Sequence, residues 1–185
     1  MRTPMPERLS ECIGRTGPSE YGELRATIRE RGTARVWVFV FGVAAWAALT
    51  VATAALAAPP LGSLVPLLVL VAAFEAVLAL HVGVERIGRY LQVAHESDGT
   101  GWEHAAMRFG RPAGAAATDA LFAVPFALAA ALNLVPALLA GPTREELIFV
   151  AGAHALFLLR IVVARGAAKR QRAIDLARFT EIQQK

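Results

Sequence analysis

The chain has a single cysteine, Cys12, in a polar N-terminal segment. One thiol excludes an internal disulfide framework, a Cys-based zinc site and a c-type haem-attachment motif. Charge is scarce as well: 18% of the 185 residues are charged against 56% hydrophobic. That leaves too little polar sequence to clothe a separate water-soluble domain. Also missing are a Walker loop, a dinucleotide-binding glycine fingerprint and a serine nucleophile elbow, the patterns that cradle phosphates or sharpen an attacking hydroxyl. No cofactor is required by any motif.

What the sequence does have is four long apolar stretches, at 36–56, 61–84, 115–140 and 147–164. Each approaches or exceeds the ~20 residues a helix needs to cross a hydrocarbon core. The pattern predicts an all-α polytopic membrane protein with four transmembrane helices: a tail at 1–35, a bundle over 36–164 with a middle segment at 85–114, and a basic tail at 165–185. Ala55-Leu56-Ala57 has the look of a signal-peptide cleavage site. The apolar run before it is longer than the 7–15 residues of a signal core, so the first span is expected to be retained.

Orientation follows from Lys and Arg. Seven lie in the N-terminal tail, four between residues 85 and 111 and six from Arg165 onward, whereas the connections at 57–62 and 141–146 hold only Arg144 between them. Positive residues stay on the cytoplasmic side, which puts both tails and the middle segment there, in an inner membrane, with short outward turns at Pro59-Pro60 and Gly141-Pro142-Thr143. A pI near 10 raises the question of nucleic acid. The basic residues flank apolar spans and alternate with acids, so anionic lipid headgroups are the expected counter-charge instead.

In the first tail, Ser19 is placed to cap a short helix to about Arg31, with Gly32 interrupting it and Leu24 and Ile28 on one face. Ala44, Ala48 and Ala52 recur every four residues, and 113–117 is another small-residue run. Both favour close helix approach, within the bundle or in a homo-oligomer or membrane complex. Pro66, Pro125 and Pro136 should free carbonyls that Asn133 or neighbouring helices satisfy.

Ionisable groups at membrane depth are costly and are the candidate functional residues. Spans two and four both run inward and Glu75 and His154 each fall near their centres, so the two are expected to meet near the midplane. An inner layer then gathers His81, Asp119, Arg160 and Glu85, and His81, Glu85 and Arg89 form an i,i+4 ladder. Stacked imidazoles and carboxylates suit proton relay or cation passage. Past this helix, His95-Glu96, a turn and then Glu103-His104 offer a weak metal-ligand set, and Thr100 with Glu103 reads as a capping box. Proton or cation handling is the leading expectation. A non-catalytic membrane subunit or scaffold is a second, and a redox protein with haem between His81 and His154, or a His and carboxylate metal site, is a third.

Overall fold

A computed structural model describes residues 18–96, 99–109 and 117–184. Cys12 and the start of the 113–117 run lie outside them. The described residues are overwhelmingly helical and contain no strand. Five helices follow one another: α1 (Pro18–Ala55), α2 (Leu64–Ala94), α3 (Trp102–Phe109), α4 (Ala117–Leu139) and α5 (Arg144–Gln183), with a 3-10 turn, Pro60–Ser63, leading into α2.

The helices are longer than the apolar stretches that seed them. α1 runs through Gly32 without a break, because one glycine costs only ~1 kcal/mol inside a helix otherwise rich in good helix formers. At 1.5 Å per residue, the 38 residues of α1 and the 40 of α5 reach about 57 and 60 Å, roughly twice a hydrocarbon core. Each long helix therefore has an apolar half and a charged half. α1 lies antiparallel to α2 and α5, so the three charged halves come together at one end.

Turn chemistry sets the other end. Ala57 adopts a left-handed φ of 48°, and the amides of Ala57 and Ala58 return to Ala54 O and Thr53 O, closing α1 in the manner of a glycine C-cap. Gly141 takes φ 67°. Thr143 then caps α5 in a reciprocal box with Glu146, which satisfies free amides at both positions.

α2 occupies the centre and packs against each of the other helices. The apolar core is built from Leu67, Leu70, Phe74 and Val77 of α2, Phe126 and Ala130 of α4, and Phe157 and Ile161 of α5. Phe74 meets Phe126 and Phe157 edge to face, at 5.4 and 5.8 Å between ring centres. Around this core the surface is apolar too: Trp37, Phe41, Leu68, Leu132, Phe149 and Val162 are all more than half exposed. A soluble bundle does not present such a belt. Three helical segments, Ser19–Ala55, Pro60–Ala94 and Arg144–Gln183, are long and apolar enough to cross a membrane, and a shorter apolar helix, Ala123–Leu139, accompanies them. The molecule is thus a membrane-compatible helical bundle.

The alanine stripe of α1 is not the bundle's tight contact. Ala44, Ala48 and Ala52 face outward. A close approach is made at Gly42, where an added methyl would run into Ala73 of α2.

Candidate functional site

Three polar clusters run down the bundle. The first lies at the end where the short turns are, and its centre is Asn133, fully buried on α4. Its amide nitrogen donates to Ser63 O at 2.9 Å and to His154 Nε2 at 3.1 Å. Its oxygen accepts from Trp46 Nε1 at 3.2 Å. Thr50, also at 3.2 Å, divides its one proton between this oxygen and Trp46 O. His154 Nδ1 lies 2.7 Å from Val150 O, and a carbonyl can only accept. The ring is therefore a neutral Nδ1–H tautomer with both nitrogens engaged. One amide ties α1, the turn before α2, α4 and α5 together. Asn133 thus serves other elements rather than the carbonyls its neighbouring prolines free.

Glu75 does not face His154. It binds Arg160 at 2.8 Å, and the two side chains are 41% and 44% exposed on the outer surface of α2 and α5. The expected central layer is not formed. Arg160 likewise leaves the expected inner layer. Glu75 and His154 would need a register about six residues, or ~9 Å, away from the 85-residue spacing that joins Glu75 to Arg160.

The second cluster lies where the apolar and charged halves meet. Arg35 Nη1 is 2.9 Å from His81 Nδ1. A guanidinium only donates, so the ring proton is on Nε2, which points at Glu85 Oε1 at 3.6 Å. Glu85 also binds Arg89. Arg89, 4% exposed, binds Asp175 of α5 at 2.7 Å. The His81, Glu85 and Arg89 ladder is therefore present, and it extends by two residues the sequence reading did not select, Arg35 and Asp175. Burial pushes the Asp175 carboxyl up, but hydrogen bonds from Gln171 and Arg89 and the charges of Arg89 and Arg86 outweigh it and hold it below its ordinary value of 3.8. Asp119 falls in the first turn of α4, and its side chain is outside the described atoms. His81 and His154 lie in different clusters, each ring occupied by its own partners, so they do not form a haem pair.

The third cluster closes the charged end. Arg25 of α1 bridges Glu103 at 2.8 Å and Glu96 at 3.6 Å, and Tyr21 donates to Glu96. Burial raises the Glu103 carboxyl above its ordinary 4.5, with Arg25 pulling it down and the Glu96 charge adding to the rise. Tyr90 donates to Glu20 at 3.1 Å, and burial with that hydrogen bond raises its phenol. His95 stacks edgewise on Tyr21 and Tyr90, while His104 pairs with Gln92 at 3.3 Å. Glu96 caps α3, accepting from the Glu103 amide at 2.7 Å. The two carboxylates of the suggested metal set thus hold a guanidinium and a helix end. Among the described residues no three His, Cys, Asp or Glu side chains are grouped to hold a metal.

Chemically these clusters are braces. Each joins at least two helices, and the described contacts do not link one cluster to the next in a continuous relay. The bundle and its polar braces define a small helical membrane-type protein with a charged helical extension. No family model matches the chain, and no curated protein or solved structure is detectably similar to it.

Proposed function

We propose that this protein is a non-catalytic membrane subunit or scaffold: four helices anchor it in an inner membrane, and the charged halves of α1, α2 and α5, with α3, form a rigid platform on the cytoplasmic side. The observation that carries this reading is the engagement of the deep polar groups. Asn133 and His154 use their hydrogen-bonding capacity on one another and on neighbouring helices, and Glu75 is held by Arg160. Groups fixed in this way set helix register. A relay needs them to change partners.

In this reading α4 also crosses the membrane, as the third of four spans, and both termini are cytoplasmic, in accord with the basic residues of the charged end. The outward Ala44, Ala48 and Ala52 face offers a close contact to a second copy or to a helix of a larger assembly. Solubilised gently from its native membrane, the protein should migrate with a stoichiometric companion, either another copy or another membrane protein. Deleting 166–185 should release a companion held by the platform and leave membrane insertion intact. A solitary monomer that loses nothing on this deletion would sink the reading.

A further inference from the structure

Between α2, α4 and α5, level with the charged ladder, lies a cavity of about 70 Å³. One water needs ~10–15 Å³ of such space, so the cavity holds roughly five groups of water or methylene size. Its walls divide sharply in polarity. Phe74, Val77 and Leu78, with Ala123 and Ala164 opposite, make one end apolar; His81, Glu85, Arg165 and Arg172 make the other end charged. α2 and α5 run in parallel, so along both helices the apolar residues come first and the charged ones follow. The apolar end therefore points into the belt of the bundle and the charged end toward the platform.

Among the described residues the charged end has an excess of cation. Glu85 is already bound by Arg89 and faced by His81 at 3.6 Å, while Arg172 stands 3.8 Å from it. Arg165 has neither a hydrogen bond nor an ion pair among the described residues, and its Nε is buried without an acceptor. A buried guanidinium N–H without a partner is costly, and each such group in a native fold asks for an explanation. An acceptor supplied from outside the chain is one.

We propose that this cavity is a binding site for an anionic phospholipid, whose phosphate meets Arg165 and Arg172 while the start of an acyl chain fills the space beside Phe74 and Leu78. The inference rests on the membrane reading above, because only an embedded bundle puts the charged end of the cavity at headgroup level. Basic pockets between spanning helices on the cytoplasmic side take anionic headgroups. A bare anion leaves the apolar end unfilled. A lipid without net charge leaves the excess cation uncompensated.

Native mass spectrometry of the full-length protein tests this with phosphatidylglycerol, phosphatidylcholine of the same chains, and inorganic phosphate. The protein should retain one phosphatidylglycerol where phosphatidylcholine is lost. Arg165→Gln should weaken that retention about tenfold or more, and Ala164→Phe, which fills the chamber but keeps the cation, should weaken it too. Arg170→Gln removes the same charge from an exposed position off the rim and should leave retention unchanged. Equal retention of both lipids, equal loss in the Arg165 and Arg170 variants, or phosphate binding as tightly as the lipid overturns the site. If Ala164→Phe does not fold, the Arg165 and Arg170 comparison decides alone. Extraction of the wild-type protein from membranes by alkaline carbonate would remove the membrane reading itself; a protein that stays embedded without a phosphatidylglycerol preference loses only this inference.

Discussion

Replacing Asn133 with alanine should be the most damaging single polar change in the apolar half of the bundle. The side chain makes three unshared hydrogen bonds, to Trp46, Ser63 and His154, and a fourth shared with Thr50. Side-chain hydrogen bonds within membrane bundles average ~0.6 kcal/mol each, so the three amount to roughly 2 kcal/mol. Truncation also leaves the Trp46 indole N–H and the His154 Nε2 without their partner, and an unsatisfied buried group costs ~1–3 kcal/mol. The two figures count partly the same lost bonds, so about 2–4 kcal/mol is expected overall, with the helical content of the folded state unchanged. Reversible unfolding in mixed micelles, followed by circular dichroism, measures it. A double-mutant cycle with His154→Ala should return a coupling of about 0.6 kcal/mol or more. A loss below about 0.5 kcal/mol, or additive single effects, would refute the assignment of Asn133 as the amide that binds four elements together.

Gly42→Ala should cost about 1–3 kcal/mol in the same assay, because its methyl runs into Ala73 of α2; a neutral outcome would mean α1 can shift freely on α2. Ala57→Gly should stabilise by about 1 kcal/mol, since a left-handed φ of 48° strains alanine and not glycine; unchanged stability would remove the strain argument. For pH, the sign differs between the two shifted carboxyls. Asp175, lowered from 3.8, contributes stability that is present above 3.8 and lost as the pH falls through its folded value. Glu103, raised from 4.5, contributes below 4.5 and loses that contribution as the pH rises through its folded value. Acidification from neutrality to about 4.5 should therefore leave the charged half of α5 protected from hydrogen exchange, with protection lost below about 3.8 in the wild type. Asp175→Asn should show weakened protection already at neutral pH and no such acid step; protection lost near pH 5 in the wild type would contradict this.

The apolar runs and the basic flanks were legible because membrane partition depends on composition summed over some twenty residues, and no single contact can undo it. The i,i+4 ladder of His81, Glu85 and Arg89 was legible for a related reason: helical spacing alone brings these side chains together. Pairing between helices was not. Matching Glu75 with His154 aligned the centres of the two apolar runs, and the register is set elsewhere. Below the apolar half, Asp175 binds Arg89 and Phe179 packs on Tyr90, which fixes α5 against α2 and carries Arg160, rather than His154, to Glu75. The buried stripe of α5 passes from Ile161 and Ala164 to Asp175, and a carboxylate in that stripe hides it from any reading based on hydrophobicity. Arg25 was equally hidden. It bridges carboxylates more than seventy residues away, and no local pattern marks it as different from Arg29 or Arg31.

Flux through the purified protein tests the central claim most directly, namely that the deep polar groups are fixed braces and not a path. Reconstituted into liposomes under an imposed pH or cation gradient, the wild type should leak no faster than empty vesicles at any pH between about 5 and 8. Glu75→Gln should behave identically. Flux well above empty liposomes that rises with protonation and disappears in Glu75→Gln would contradict the account and restore proton or cation handling as the function of these residues.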